Sequence, residues 1–149
     1  MTYSVISVKP LLFVLAICFL PLNTVLANDS KITDTRISLG LTASEKIEFL
    51  TEMRQMLVSI QGVIAGIGED NPEKIAIAAR HSGARMARAT PESIRKKLPQ
   101  SFKELGGPTH MLFEELAIRA ESDDMESLAA FTGTLMQQCI VCHAKFKVD

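Results

Sequence analysis

The chain of 149 residues has no tryptophan, one tyrosine and an aromatic share of only 5%. That scarcity excludes a stacking platform for single-stranded nucleic acid, which needs rows of exposed rings. Charge of neither sign dominates: 16 Lys+Arg stand against 17 Asp+Glu, for a net charge of −1. A strongly basic nucleic-acid binder is excluded on the same ground. Three cysteines are too few to staple a miniprotein. No strand-like alternation of apolar and polar residues runs for any length. The size suits one domain with a real core.

What the chain has in plenty, 47% hydrophobic residues, is unevenly placed. Residues 1–27 carry one charge, Lys9, and an unbroken apolar run from Leu11 to Leu20 between Pro10 and Pro21. Ten helical residues reach about 15 Å, half of a bilayer's hydrocarbon core. A cation, a short apolar run and Val25-Leu26-Ala27 describe a secretory signal peptide, cleaved after Ala27. A lipoprotein signal on Cys18 competes, but bulky Ile17 stands where a small residue belongs. An uncleaved anchor is the other alternative. Export places the chain in the periplasm, with no stable membrane insertion once the signal is removed. Removing 27 of 149 residues leaves 122, with a net charge of −2 and Cys139 and Cys142 as the only cysteines.

Residues 28–41 read as a tether with some packing, and residues 42–149 as one helical domain. Thr42-Ala43-Ser44-Glu45 fits a capping box, so the first helix starts there. Leu50, Met53, Leu57, Ile60, Ile64 and Ile67 recur at spacings of three and four, an inward stripe of bundle type that Gly66 and Gly68 end. Asn71-Pro72 opens a second helix, with Ile75, Ala78, Ala79, Ser82, Met86 and Ala89 inward. A short helical turn lies between Thr90-Pro91 and Leu98-Pro99. Phe102 to Leu105 is a connector ending at Gly106-Gly107, and Pro108 or Thr109 begins a third long helix. Asp123 or Asp124 caps the fourth, which runs to Phe146. Four amphipathic helices joined by short links predict an all-α, antiparallel up-down four-helix bundle.

The strongest chemical signal is Cys139-Ile140-Val141-Cys142-His143. In an exported chain this spacing is the attachment site of a c-type haem. Two thiols three positions apart lie on one side of a helical turn, where they can add to two vinyl groups. His143 then lies beneath the macrocycle and offers an imidazole nitrogen to the iron. Three plainer readings compete. A redox-active Cys pair needs a thioredoxin-like sheet, and no strands are evident. A zinc site needs two further ligands, and only His81 and His110 remain. A disulfide leaves His143 without a role.

The motif sits seven residues from the carboxyl end, inside the last helix, and is followed by Phe146 and Lys147. In this it resembles the class II c-type cytochromes, the cytochrome c′ family, over roughly Leu41 to Val148. The stretch Thr90-Pro91, Lys97-Leu98-Pro99, Phe102, Leu105-Gly106, His110 and Phe113 is similar to a subgroup of small bundle cytochromes. The resemblance implies one covalently attached haem c, a periplasmic electron carrier rather than an enzyme, and transient partners among periplasmic or membrane-bound redox proteins. It also implies a possible homodimer, and it implies no nucleic acid.

In the resembled family the first helix presents a residue to the distal haem face. Where that residue is Met, six-coordinate iron suits electron transfer. Where it is Leu or another non-ligand, five-coordinate iron can bind NO or CO, which is the alternative function. On a helical wheel of about 100° per residue, Met53 falls within the inward stripe and Met56 at its edge. Met53 is therefore the candidate distal ligand, with Met56, or no ligand at all, left open. Both could equally be packing residues. His110 reads as a surface or capping residue of the third helix, and His81, among arginines, as solvated. Lys147 falls one helical turn after His143 and, in the resembled family, near the proximal pocket.

Net neutrality conceals polarity. Residues 80–97 hold six Lys/Arg against Glu92, and residues 114–126 hold six acids against Arg119. Such segments steer transient partners, here an acidic redox partner toward the basic segment.

Overall fold

The computed structural model describes residues 33–149; the signal peptide expected at 1–27 lies outside the described residues. The described chain is all-α. Its helices are α1 (Ala43–Gly68), α2 (Pro72–His81), α3 (Ala84–Ala89), α4 (Glu92–Lys97), α5 (Gln100–Arg119) and α6 (Met125–Lys145). Two strands of two residues each, β1 (Ile37–Ser38) and β2 (Phe146–Lys147), pair in parallel with Ile37 opposite Phe146. No helix among the described residues is long and apolar enough to cross a membrane.

Local chemistry sets the helix starts. The Glu45 amide donates to the Thr42 hydroxyl at 3.4 Å while the Thr42 amide donates to the Glu45 carboxylate at 2.8 Å, which completes the capping box. Lys97 of α4 reaches the same carboxylate at 2.6 Å; it and the Thr42 amide hold the Glu45 pKa down at about 2. The Lys74 amide donates to Asn71 Oδ1 at 2.9 Å, and the Ser127 amide to Asp124 Oδ1 at 2.7 Å.

α1 packs on α2, α2 on α5, and α6 on both α5 and α1. The buried face of α1 differs from the expected stripe. Ile60 is buried, and Met53 and Ile67 pack against the core, but Leu57 and Ile64 are exposed. Their place is taken by Phe49, Ser59, Val63 and Gly66. The cause is the approach of α2. A Cβ at Gly62 would lie 2.8 Å from Ala78 Cβ, and one at Gly66 only 2.7 Å from Ile75 Cγ1. These glycines form the groove that seats α2, so Gly66 is an interface residue and not a helix terminator. The chain turns after α1 through Asp70, which adopts φ 52°, a conformation Asp tolerates better than most residues.

The expected second helix is broken at Ser82-Gly83 into α2 and α3. The Glu114 carboxylate of α5 accepts from the first amide of α3, at Ala84, at 3.1 Å, in space that a side chain at residue 83 would occupy. The expected inward pattern stops at the break: Ile75, Ala79 and Ser82 are buried, but α3 has no buried residue, Met86 is half-buried and Ala89 is exposed. α5 begins at Gln100, eight residues before the expected start, and contains Pro108. Proline removes one helical hydrogen bond, but Gly107 and Pro108 lie on the exposed side while Phe102 and Phe113 anchor the same helix in two separate core clusters.

The first cluster is built on Ile60, Val63, Ile75, Phe113, Leu116 and Leu135. The second gathers Leu39, Phe49, Ile94, Leu98, Phe102 and Phe146. Phe102 is its hub, 5.8 Å from the Phe49 ring and 5.3 Å from the Phe146 ring, the latter nearly edge-on at 74°. Leu39 brings the described part of the expected tether into this cluster. That segment is a strap: the Leu39 amide donates to the Lys147 carbonyl at 3.1 Å, next to the β1–β2 pair.

Candidate functional site

From Asp124 onward the inward face of α6 reads Leu128, Thr132, Leu135, Cys139, Cys142. The spacing is four, three, four, three, so helical geometry alone puts both thiols on the side that faces the protein. Leu128, Thr132 and Leu135 are buried; the two cysteines are half-buried and neither forms a disulfide. Cys139 packs against the first core cluster and Cys142 against the second. The intervening Ile140 and Val141 are 60% and 40% exposed.

Both thiols border a cavity of about 520 Å³, within the roughly 300–1,000 Å³ typical of cofactor sites. Its walls are mostly apolar and come from both clusters, including Phe49, Ile60, Leu98 and Phe102. His143 and Met53 border the same cavity. Met53 of α1, some ninety residues upstream, therefore meets the Cys139–His143 motif at one place. Met56 borders it too, and the rotation of the buried face of α1 removes the wheel's preference for Met53. Met53 packs with the cluster that holds Cys142, and Met56 with the one that holds Cys139.

Burial pushes the Cys139 thiol above its ordinary pKa; burial, and then the proximity of Cys139, does the same for Cys142. A redox-active Cys pair carries a stabilised thiolate and a lowered pKa. Here burial raises both, so neither cysteine is a stabilised thiolate of that kind. Among the described residues, no three His, Cys, Asp or Glu side chains gather as ligands for a bare metal ion. A planar macrocycle with one histidine ligand and two thioether anchors needs no such cluster, and the apolar walls, paired thiols and adjacent imidazole fit it.

Two residues, His110 and Lys147, differ from expectation, while His81 lies where it was expected, in solvent. His110 is buried in the middle of α5. Its Nδ1 lies 2.8 Å from the Ser82 carbonyl oxygen, at the end of α2, and its Nε2 lies 3.5 Å from Glu52 Oε1 on α1. Glu52 and His110 both border the cavity, and the pair went unread because nothing local in the sequence links positions 52, 82 and 110. His81 is exposed and does not border the cavity. α6 ends at Lys145, so Lys147 is not one helical turn below His143; its ammonium lies 3.3 Å from Asp149 and 3.8 Å from Asp34. The last carbonyls of α6 instead receive Arg36 of the strap, whose guanidinium donates to the His143 carbonyl oxygen at 3.3 Å.

No family model, curated protein or solved structure matches the chain.

Proposed function

We propose that this protein is an exported monohaem c-type cytochrome of the class II kind, an antiparallel up-down four-helix bundle that passes single electrons between periplasmic or membrane-bound redox proteins. The observation that carries the reading is the convergence of Cys139, Cys142, His143 and Met53 on one apolar cavity. Bound there, haem c supplies a one-electron iron couple. Cys139 and Cys142 would hold it as thioethers, an addition of S–H across each vinyl group that requires no oxidant. The His143 imidazole and the Met53 thioether would hold the iron, the latter a soft donor that favours the reduced metal. Phe49, Leu98 and Phe102, apolar cavity walls, would keep water from the ring. The protein is a carrier and not an enzyme. Ile47 and Val58 on α1 and Ile77 on α2 are apolar and exposed, which supports pairing of two copies.

The test is intact-protein mass after expression in a periplasm equipped for c-type maturation. The expected mass is the chain after Ala27 plus one haem, absent from the double variant Cys139→Ala, Cys142→Ala. A haem-free wild-type protein overturns the reading. If haem is present but the oxidised protein is high-spin and Met53→Ala leaves the spectrum unchanged, the open-site, NO- or CO-binding alternative replaces electron transfer.

A further inference from the structure

Besides its histidines, the cavity is bordered by four charged side chains, and they are not alike. Glu52, the one acid, faces His110 and accepts from the Thr90 hydroxyl at 3.3 Å. The three cations come from three helices: Arg54 from α1, Arg95 from α4 and Lys103 from α5. Among the described residues none of these three forms an ion pair. Their neighbours do: Lys96 pairs with Glu92 at 2.9 Å and Lys97 with Glu45 at 2.6 Å. Within the run Arg95-Lys96-Lys97, the cation that borders the cavity is the unpaired one.

We propose that Arg54, Arg95 and Lys103 form an anion subsite for the two carboxylates of the cofactor, an inference that rests on the haem reading above. The chemistry of the ring supplies the direction. In a haem the two propionate arms stand on the edge opposite the two vinyl groups. Cys139 and Cys142 hold the vinyl edge at α6. The carboxylate edge then turns to the walls built by the other helices, where the three cations are. A carboxylate drawn partly out of water is costly unless a cation or a donor meets it. Arg54, Arg95 and Lys103 are all exposed, so they would meet the carboxylates at the solvent-facing rim of the cavity, where each pair is partly screened by water. The covalent anchor and the cation cluster thus select a single one of the orientations a flat ring could take.

The experiment uses the mature holoprotein and the triple variant Arg54→Gln, Arg95→Gln, Lys103→Gln, with Arg54→Lys, Arg95→Lys, Lys103→Arg as the charge-conserving control. Intact mass reports haem attachment, and a redox titration from acid to mildly alkaline pH at low salt reports the subsite. Haem remains covalently attached in the triple variant. Its midpoint potential falls, because a lost cation no longer favours the less positive reduced iron. The pH-dependent step of the potential moves upward, because the carboxylates lose what kept them ionised. The charge-conserving control keeps the wild-type curve. A triple variant with attached haem and a superimposable potential–pH curve overturns the subsite. If that curve is unchanged while the rate of oxidation by ferricyanide falls at low salt, the cations only steer anionic partners, and the subsite is again overturned. A wild-type protein without haem removes the parent reading itself, which the mass shows before any titration.

Discussion

The imidazole of His110 and the carboxylate of Glu52 face each other at 3.5 Å across the interface of α5 and α1, at the edge of the cavity. The other ring nitrogen, Nδ1, is 2.8 Å from the Ser82 carbonyl oxygen. The carbonyl oxygen can only accept, so Nδ1 carries hydrogen and donates to it, while Nε2 faces the carboxylate. When the ring is protonated, a buried cation is set against a nearly buried carboxylate, and each depends on the other. Three elements are tied at this point: α1, the end of α2, and the middle of α5.

Replacing His110 with Leu leaves Glu52 without its cation and the Ser82 carbonyl without its donor. The expected loss is about 2–3 kcal/mol, which lowers Tm by roughly 10 °C in a domain of this size. Adding Glu52→Leu to that variant should restore part of the loss, since the stranded charge goes with it. Thermal melts of the two single variants and the double variant check this. Additive losses would show that the two residues are independent.

The same pair makes stability depend on pH. Burial opposes the charge on His110, but the Glu52 carboxylate and the Ser82 carbonyl outweigh it, and its pKa lies above the ordinary histidine value. A raised folded-state pKa contributes stability that is complete below the unfolded value of about 6.5 and is lost as pH rises through the folded value. The advantage of wild type over His110→Gln should therefore be largest near pH 6 and shrink toward pH 8. Urea unfolding of both proteins across that range measures it; a constant difference contradicts it.

Gly66→Ala tests the seat of α2 on α1. The new methyl would lie 2.7 Å from Ile75 Cγ1 and 3.0 Å from the Ile75 amide nitrogen, and backbone cannot yield as a side-chain tip does. Helix propensity alone favours Ala by about 1 kcal/mol, so a net destabilisation of about 1–2 kcal/mol means that overpacking outweighs propensity. Gly68→Ala, with nothing within 4 Å, is the internal control and should not destabilise. Denaturant midpoints of the two variants decide the matter.

On the proposed reading, Met53→Ala converts low-spin ferric iron to high-spin and lowers the reduction potential, whereas Met56→Ala leaves the spin state unchanged. Visible spectra of the oxidised proteins read this directly. The reverse pattern would transfer ligation to Met56, which borders the same cavity.

Much of this molecule is local in origin and so was legible from residue order. The starts of α1, α2 and α6 follow from Thr42, Asn71 and Asp124, because a capping side chain reaches an amide only three positions away. The all-α character follows from the period of the apolar residues. The placement of both thiols on the inward face of α6 follows from a spacing of three on a helix whose inner face Leu128 and Leu135 already mark.

What lay beyond the sequence involves partners far apart along the chain. Which face of α1 is buried was decided by α2, which settles where Gly62 and Gly66 allow the closest approach. The break after α2 was decided by Glu114 and His110, some thirty positions downstream, which meet the amide and the carbonyl that the break frees. The unbroken course of α5 through Pro108 was decided by Phe102 and Phe113, held in different clusters. Residue order determined the capped helix starts at Thr42, Asn71 and Asp124 and the Cys-x-x-Cys-His motif, since hydrogen bonds and side-chain spacing within a turn are set by neighbours. Tertiary structure decided the cavity, its buried His110–Glu52 pair and its unpaired cations, since burial depends on what packs against a side chain from elsewhere in the fold.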